Sequence, residues 1–405
     1  MSQYLKEFNV EPIVLTVDEK YASYALWDES LVKESENLEV YKTKSLEVLK
    51  LYTKLFKGAK LPTGGGANLK RGLKSRLVSA IRSNFFIPDP RIGWKRYAVK
   101  KAIDIIRENN IKTVITTSPP HSTQLIGEQL KRKLDINWIV DFRDPWTDIF
   151  YYKQLAHSAL SRKIDRAYEQ KVLEGADHII AVGDGLKKLF QEKIRSKTEE
   201  QFSTIPNGYD PKDFDGLQKN KTTRFTICYT GTIADTYKPK VFIDALIELK
   251  KEGLDFVFKL IGMASSEIME ACKNLNDSFV HIPSVNHKQV VQYQLDADLL
   301  LLVIPEADDD HLILTGKLFE YLCTQNPIIN IGPIPGGAAE IIEECQGGKS
   351  FTRNQGSQIV KFLKVQTTKY HSGLVHQSNA KAIEKYSRRE QAKELSEIIH
   401  RVEQV

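Results

Sequence analysis

Short apolar runs alternate with amphipathic stretches through most of the chain. The runs are rich in Ile, Val, Leu and Phe, whereas the stretches between them repeat an apolar residue every three or four positions. Such runs are typical of strands buried on both faces, and the amphipathic stretches are typical of helices packed over a sheet. The pattern predicts an α/β fold in which parallel sheets are wound by β-α-β units.

The predicted elements fall into two halves with the same layout. The first half has strands at 11–17, 38–42, 113–118, 137–142, 178–182 and 202–205, with helices at 93–107, 122–134, 161–174 and 185–193. The second half has strands at 224–229, 255–261, 280–283, 299–304 and 327–331, with helices at 238–252, 266–275, 288–295, 316–324 and 338–345. We expect two Rossmann-like domains facing one cleft, with ligands beyond the carboxyl ends of the strands.

A turn-forming cluster, PNGYDP at 206–211, interrupts this alternation and predicts a domain boundary. We expect an N-terminal domain over 1–206, a linker over 207–222 and a C-terminal domain over 223–365. The tail over 366–405 is predicted to be helical, with one long helix at 378–402.

Composition narrows the class of protein. The 405 residues exceed one ordinary core, and 41% hydrophobic with 27% charged residues is typical of soluble globular proteins. No apolar run is long enough to cross a bilayer, and MSQYLKEFNV has no signal-peptide core. The four cysteines are scattered without a CxxC pair, which argues against a zinc site or a disulfide framework and predicts a cytoplasmic location.

The net charge of +6 is unevenly placed. Residues 54–101 hold thirteen Lys and Arg against the single acid Asp89, a local net charge of +12. Two interpretations stay open: a peripheral contact with an anionic inner membrane or another phosphate-bearing partner, and a solvated helical face. No RNA-binding signature accompanies the charge, so we predict no nucleic-acid partner. The interleaved apolar residues are Leu55, Phe56, Leu73, Leu77, Val78, Ile81, Phe85, Phe86 and Trp94.

The strongest candidate for chemistry is TGKLFEY at 315–321, which follows a predicted strand and a polar loop. Thr315 and Gly316 can open a helix whose free N–H groups attract phosphate, and Lys317 adds a positive charge in the first turn. A lysine there opposes the helix dipole unless an anion lies between them. Glu320 lies one turn further on the same face, where its carboxylate can accept hydrogen bonds from two ribose hydroxyls.

Two more turns support an anion site. YTGT at 229–232 follows a predicted strand directly, so Gly231 and Thr232 can bring backbone N–H groups to an anion, and Lys238 follows. GPIPGG at 332–337 precedes the next predicted helix in the same way. The acidic run at 308–310 fits a metal-binding DxD pattern, but acid runs are usually solvated, and we predict no metal cofactor.

Taken in order, these motifs resemble a known family. TGKLFEYLCTQNPIINIG is similar to the nucleotide-sugar signature of family-4-type GT-B glycosyltransferases, IPNGYDPKDF to their interdomain linker, and GADHIIAVGDGLKK to the end of their first domain. TSPPHSTQLIG and INWIVDFRDPW resemble a bacterial branch used in surface-polysaccharide assembly. The resemblance spans nearly the whole chain and implies the GT-B fold, with a C-terminal helix that crosses back to the first domain.

The resemblance implies that the second domain holds a nucleotide-sugar donor. Its matching residues are Gly231, Thr232, Lys238, Thr315, Gly316, Lys317 and Glu320. Glu320 matches the second glutamate of the family's Glu-x7-Glu motif, but Leu312 occupies the first position, and one of the acids at 308–310 is the candidate replacement. His121, Lys317 and Glu320 are the predicted catalytic residues.

The first domain is implied to bind the acceptor. His121 matches a histidine that lies near the transferred sugar in the family; the alternative is a helix-start histidine packed in a turn. Asp141 and Arg143 end a predicted strand and can bind acceptor hydroxyls or a lipid phosphate. For Asp144 we favour a cap on a helix that Pro145 starts.

The beginning of the chain departs from the family. SQYLKEFNVEPIVLTV at 2–17 predicts a helix that runs into a strand, whereas the family places a strand and a Gly-rich loop before that helix. We expect the first, central strand of the domain and part of the acceptor site to be missing from this chain.

The sequence thus predicts a hexosyl- or N-acetylhexosaminyl-type glycosyltransferase that uses a nucleotide-diphosphate donor, with UDP-sugar as the first choice. The expected acceptor is a saccharide or a polyprenyl-linked molecule, and the expected outcome is retention of configuration. Two alternatives stay open: a UDP-sugar epimerase of the same fold, and an inactive protein that binds nucleotide sugars. The predicted location is cytoplasmic, with peripheral contact at the inner face of the cytoplasmic membrane.

Overall fold

A computed structural model describes residues 1–21, 37–46, 80, 83–149 and 152–404. Contacts divide the chain into two compact units: unit 1 is Met1–Pro206 with Ala392–Val405, and unit 2 is Asn207–Gln391. Most of the basic segment 54–101 lies outside the described residues, including Leu55, Phe56, Leu73, Leu77, Val78 and Ile81.

Unit 1 alternates strands and helices. Its strands are β1 (Ile13–Val17), β2 (Glu39–Thr43), β3 (Thr113–Ser118), β4 (Asn137–Phe142), β5 (His178–Ala181) and β6 (Phe202–Thr204). Its helices with described bounds include α1 (Ser2–Leu5), α2 (Lys95–Glu108), α3 (Gln124–Lys133), α4 (Ala159–Gly175) and α5 (Asp184–Lys193). Helix α4 begins after Ser158, whose Oγ accepts a hydrogen bond from the Ser161 amide at 3.1 Å and caps the first turn.

The described strands of unit 1 form two parallel sheets. Strands β3, β4, β5 and β6 are neighbours in that order, and β1 pairs with β2. Among the described residues no ladder joins β1 to β3, although Leu15 packs against the same apolar cluster as Val114. Strand β4 is buried on both faces, since Trp138 belongs to one cluster and Ile139 to another that includes Ile398 near the C-terminus.

Unit 2 continues the alternation. Its strands are β7 (Phe225–Thr230), β8 (Phe256–Ile261), β9 (Phe279–Ile282), β10 (Leu299–Val303), β11 (Ile328–Ile331) and β12 (Gly348–Phe351). Its helices include α6 (Lys240–Lys251), α7 (Ser266–Cys272), α8 (His287–Asp296), α9 (Gly316–Thr324), α10 (Gly337–Glu344), α11 (Gly356–His371) and α12 (Ala380–Glu384). The last helix, α13 (Arg388–Glu403), begins in unit 2 and belongs to unit 1 from Ala392 onward.

The sheet of unit 2 has the order of a doubly wound fold. Its six strands are parallel and lie in the order β9-β8-β7-β10-β11-β12, so the direction of winding reverses between β7 and β10. In β10, Leu299, Leu301 and Val303 join one apolar cluster, whereas Leu300 and Leu302 join the other. Helices therefore cover both faces, as the apolar runs predicted.

The predicted α/β class with two Rossmann-like units is confirmed, and the predicted strands agree with the structure within two residues at either end. The single helix predicted over 378–402 is wrong, because it is divided into α12 and α13. The break holds Ser387, which forms a β-bridge with Tyr209. The prediction also omitted β12 and α11. None of the described helices has the length and apolar content needed to span a membrane.

Candidate functional site

The carboxyl ends of β7 and β10 frame a crevice in unit 2. These strands pair only through Leu299 with Ile227 and Leu300 with Cys228, whereas β7 and β8 pair over six residues. The two strands therefore diverge toward their carboxyl ends. In open α/β sheets, ligands bind at such a reversal of strand order.

Gly231 follows β7 directly and brings the backbone to this crevice. Its φ is +105°, and a Cβ there would lie 3.3 Å from Nζ of Lys317. Behind it, Gly262 has a φ of +124°, and a Cβ there would lie 2.3 Å from the carbonyl oxygen of Gly231. The left-handed backbone and the close approach explain glycine at both positions.

Tyr229 positions the amine of Lys317. The amine donates a hydrogen bond to Tyr229 Oη at 2.8 Å and lies 4.2 Å from the centroid of that ring. The phenol in turn donates to the carbonyl of Thr232 at 2.9 Å. Burial lowers the pKa of Lys317 to about 8, although the nearby Glu320 carboxylate opposes the shift. A half-buried cation that is held by a neutral phenol is suited to an incoming anion.

Helix α9 begins beside this amine. Thr315 precedes its first turn, and Oγ1 of Thr315 is buried without a hydrogen-bond partner. A Cβ added to Gly316 would meet nothing within 4 Å, so the start of the helix faces open space. Free N–H groups, an unpartnered hydroxyl and the Lys317 amine therefore converge on one place, and their chemistry suits a diphosphate.

Glu320 lies one turn further along α9 and is held by Gln294. Nε2 of Gln294 donates to Oε2 of Glu320 at 2.7 Å and to Oγ1 of Thr230 at 3.1 Å. The next residue, Tyr321, is buried, and its Oη accepts a hydrogen bond from the Thr230 amide at 3.0 Å. The half-buried carboxylate is thus fixed through one oxygen and retains a second, which suits the predicted contact with ribose hydroxyls.

Lys238 lies in the loop after β7 and has a left-handed φ of +45°. It forms an ion pair with Glu306 in the loop after β10, and this contact lowers the pKa of the Glu306 carboxyl. The Glu306 amide also donates to the carbonyl of Thr236 at 2.8 Å. Lys238 therefore joins the two loops at the strand reversal, and its contact with a diphosphate stays a prediction.

Arg353 is a candidate that the sequence did not suggest. It follows β12, and its guanidinium donates to the carbonyls of Ile304 and Tyr237, while Nη1 lies 3.9 Å from Oδ2 of Asp310. Its Nε is buried without a partner. Arg353 thus fastens the loops after β7 and β10 to the end of β12. The polar strand GKSF was not recognised in the sequence, so the arginine behind it did not stand out.

The acidic run at 308–310 lies in the loop after β10. Asp310 begins the short 3-10 helix Asp310–Leu312, and its carboxylate faces Arg353. Within the described ranges, no cluster of three or more His, Cys, Asp or Glu side chains could hold a metal ion. The pairing of Asp310 with a cation of the chain indicates a role in ordering this loop.

In unit 1, His121 lies in the turn between β3 and α3. Its ring stacks on Trp146, with centroids 4.9 Å apart and 9° between the planes, and Nε1 of Trp146 donates to Oδ1 of Asp165 at 2.8 Å. Burial, reinforced by Lys193, lowers the pKa of His121 to about 3, so the imidazole is neutral. Its Nδ1 is buried without a partner. The free nitrogen suits a ligand and the stacking suits a packed histidine, so the catalytic role stays a prediction.

Asp141 and Arg143 form an ion pair where β4 ends. Nε of Arg143 donates to Oδ2 of Asp141 at 2.9 Å, and Oγ1 of Thr117 donates to the same oxygen at 2.8 Å. Nη1 of Arg143 donates to the carbonyls of Ile205 and Pro206, each at 3.1 Å. Oδ1 of Asp141 is buried without a partner. A fixed carboxylate with one open oxygen at the carboxyl edge of a sheet suits an acceptor hydroxyl.

The prediction that Asp144 caps a helix is wrong. Residues 143–149 form bends and a turn, and no helix begins at Pro145. Trp146 and Thr147 bond instead to Asp165 and Glu169 of α4, which holds this segment against that helix. Burial raises the pKa of Asp144 to about 6. In the described part of the chain, no donor forms a hydrogen bond with its carboxylate.

Residues 61–213 match the sequence model of Glycosyltransferase Family 4. A search of curated proteins found no match. The family match therefore covers most of the basic segment and the site of unit 1, and ends just past the boundary with unit 2.

Solved structures share the fold over nearly the whole chain. A glycosyltransferase from Rickettsia africae ESF-5 superposes with a TM-score of 0.61 at 14% identity, covering 99% of this chain and 92% of that one. Sucrose-phosphate synthase from Thermosynechococcus elongatus gives 0.60 at 12%, covering 97% and 99%. Anabaena Alr3699/HepE, solved in complex with UDP-glucose, gives 0.57 at 11%, covering 96% and 99%. Together with the family match, these likenesses confirm the resemblance to family-4-type GT-B glycosyltransferases, whereas the branch suggested by DFRDPW stays a prediction.

Proposed function

We propose that this protein is a glycosyltransferase that moves a hexosyl or N-acetylhexosaminyl group from a nucleoside-diphosphate donor to a saccharide or lipid-linked acceptor. UDP is the first choice of nucleotide, and retention of configuration is the expected outcome. The family match over 61–213 and the shared fold support the class of reaction. Surface-polysaccharide assembly at the inner face of the cytoplasmic membrane is the proposed setting.

One observation carries the donor half of the proposal. The Lys317 amine lies against Gly231 at the point where β7 and β10 diverge, and the open first turn of α9 starts beside it. A diphosphate placed there would meet a desolvated cation, free backbone N–H groups and the Thr315 hydroxyl together. Glu320 lies one turn further along the same helix, where its carboxylate suits the ribose of the same nucleotide.

In the proposed reaction, the bond between the anomeric carbon and the β-phosphate oxygen breaks, and the acceptor oxygen bonds to that carbon on the same face. The acceptor proton passes to the departing diphosphate oxygen, so the protein supplies no nucleophile. Negative charge builds on the diphosphate as the bond breaks. Lys317 and the N–H groups at the start of α9 stabilise that charge, and they act most strongly where water is excluded.

Unit 1 supplies the proposed acceptor contacts. The unpartnered Oδ1 of Asp141 accepts a hydrogen bond from an acceptor hydroxyl, and Arg143 holds this carboxylate in place through its other oxygen. The neutral imidazole of His121 offers Nδ1 for another hydroxyl of the sugar or acceptor. Neither contact requires a metal ion or another cofactor.

A nucleotide screen is the first test. UDP, GDP and ADP, free and as sugar conjugates, are added to the full chain, and the thermal unfolding midpoint is recorded. A true ligand stabilises the folded state by mass action, and we expect the UDP compounds to raise the midpoint most. No shift with any nucleotide would contradict the donor site.

The second test separates transfer from the alternatives. The nucleotide sugar that binds is labelled in its sugar and incubated with a saccharide or a polyprenyl-diphosphate acceptor. Label in the acceptor supports a transferase. An epimeric nucleotide sugar formed without acceptor would identify an epimerase, and binding with neither product would identify an inactive nucleotide-sugar binder.

A further inference from the structure

A basic groove runs between helices α2 and α3 of unit 1, separate from the site at the ends of β3 and β4. Its volume is about 460 Å³, in the range of ligand pockets. Its lining from α2 and the turn before it is spaced three or four residues apart and so forms one face of a helix. The groove is lined by Ile92, Lys95, Arg96, Val99, Lys100, Ile103, Gln129 and Lys133.

The charge of the groove is not neutralised. Four of the lining residues are cations: Lys95, Arg96, Lys100 and Lys133. The described lining has no acidic residue, and none of these four cations forms an ion pair with another described residue. The cations next to the groove are different: Arg132 and Lys171 share Glu128, and Lys131 pairs with Asp177 at 2.8 Å. The fold therefore balances the charges around the groove and leaves those inside it for a ligand.

Partly burying a cation that has no ion pair costs free energy, and Lys95 is the example in this groove. Burial lowers the pKa of its amine, and the like charges of Lys171 and Arg132 act in the same direction, while Glu128 opposes them. An anion in the groove would relieve that cost. The groove also has an apolar floor, since Val99 is buried and Ile92 and Ile103 are partly buried.

We propose that this groove binds the phosphate headgroup of an anionic phospholipid and thereby holds unit 1 at an acidic membrane surface. Cations arranged around apolar side chains match a phosphate attached to acyl chains better than they match a uniformly polar nucleic acid. In the sequence, the residues 54–82 that precede the groove residues carry further cations and no acid.

The test uses the full chain and vesicles of phosphatidylcholine with or without phosphatidylglycerol. Binding is measured by flotation at low and at physiological salt. We expect binding to the anionic vesicles alone, weakening as salt rises. In the variant Lys95→Gln/Lys100→Gln, partitioning should fall about thirtyfold, because each lysine near an anionic surface strengthens partitioning roughly fivefold.

Two matched variants make the test specific for the groove. Lys251→Gln/Lys361→Gln removes the same charge from exposed positions of unit 2 and should bind vesicles as the wild type does. Lys95→Arg/Lys100→Arg keeps the charge and should retain binding. Unfolding midpoints, measured for every variant, confirm that each is folded.

Three outcomes would overturn the proposal. One is wild-type protein that ignores anionic vesicles, and another is equal loss in the unit 2 control, which would indicate general charge attraction. The third is displacement from vesicles by millimolar inorganic phosphate, which would identify a small-anion site. Vesicle binding does not depend on the nucleotide, so failure here leaves the proposed transferase standing, and failure of the nucleotide screen leaves this proposal standing.

Discussion

The amine of Lys317 donates a hydrogen bond to the phenol of Tyr229 at 2.8 Å. This contact joins the first turn of α9 to the last residues of β7, the two elements between which a diphosphate is expected. A neutral phenol directs the amine without cancelling its charge. The cation is therefore oriented before any ligand arrives, which is the condition for strong electrostatic stabilisation of a transition state.

Replacing Lys317 by alanine should lower turnover by about a hundredfold, the usual effect of losing one contact to charge that develops in a transition state. The protein should remain folded, because the variant no longer has to bury a charged amine, which costs free energy of folding. Steady-state kinetics with the donor found in the nucleotide screen, together with thermal unfolding, measures both effects. Lys240→Ala, at an exposed position nearby, is the control and should keep its activity. A near-wild-type rate for Lys317→Ala would contradict the proposed contact between Lys317 and the diphosphate.

Nucleotide affinity should depend on pH through the same amine. Its pKa is about 8 in the free protein, and a bound diphosphate raises that value, since it favours the charged form. UDP affinity should therefore be flat near pH 7 and should weaken above pH 8, by at most about tenfold per pH unit. The UDP phosphates are already mostly ionised at pH 7, because their last pKa is about 6, so their own titration ends below the range in which Lys317 loses its proton.

Isothermal titration between pH 7 and 9.5 measures this dependence. Lys317→Arg should bind UDP without the decline, since a guanidinium stays charged throughout that range. Lys317→Ala should bind weakly at every pH. A wild-type affinity that does not change from pH 7 to pH 9.5 would contradict a direct contact between this amine and the phosphates.

Gly262→Ala should destabilise the protein more than Gly253→Ala does. Both glycines have positive φ, so both substitutions strain the backbone by roughly 1–2 kcal/mol. At Gly253 a Cβ meets nothing within 4 Å, whereas at Gly262 it would lie 2.3 Å from the Gly231 carbonyl. The extra clash should add about 1–3 kcal/mol and displace Gly231.

Chemical denaturation of both variants measures this difference in the free energy of unfolding. We also expect Gly262→Ala to weaken UDP binding, because Gly231 lies beside the Lys317 amine, while Gly253→Ala binds as the wild type does. Equal losses of stability in the two variants would contradict this prediction. They would show that the backbone at Gly262 can shift away from the Gly231 carbonyl without a further loss of stability.

Asp144→Asn should stabilise the protein at pH 7.5. Burial makes the Asp144 carboxyl easier to protonate in the folded chain, with a pKa of about 6 against 3.8. The folded state then binds more protons between about pH 4 and pH 6, so stability falls with rising pH across that window. Removing the charge should recover about 1–2 kcal/mol at pH 7.5, and the gain should vanish toward pH 4.

Thermal unfolding at several pH values checks the gain, with Asp148→Asn as the matched control. Asp148 pairs with Lys193, so its replacement should give no stabilisation at pH 7.5. If Asp144→Asn also weakens acceptor use, the buried charge is retained for function at the expense of stability. An unchanged or lowered midpoint for Asp144→Asn at pH 7.5 would contradict an uncompensated buried carboxylate.

Strands buried on both faces are the most directly predicted, because a continuous apolar run such as Leu299–Val303 is stable only inside a sheet. Strand β12 was missed because GKSF is only four residues long and has a single large apolar side chain, Phe351. The split between α12 and α13 was missed because it depends on the distant bridge between Ser387 and Tyr209. Tertiary contacts of that kind leave no local pattern.

The residues of the candidate site also divide into those that the sequence could predict and those that depend on distant contacts. Gly231, Lys317 and Glu320 follow directly from turns and helix starts beside predicted strands, and the structure brings Gly231 and Lys317 together. Arg353 could not be found in this way, because its importance comes from the carbonyls of Ile304 and Tyr237, which are far from it in sequence. Asp144 was misread for a related reason, since the bonds from Trp146 and Thr147 to α4 replace the expected helix.

The divergence of β7 from β10 leaves the Thr230 amide bonded to a side chain, the phenol of Tyr321, instead of to a neighbouring strand. That amide can exchange its hydrogen with solvent when α9 moves away, without the sheet having to open. Since Glu320 and Tyr321 are adjacent in α9, a nucleotide that anchors Glu320 also restrains Tyr321. If the proposed donor site binds a nucleotide, hydrogen exchange at the Thr230 amide should slow when the nucleotide is bound.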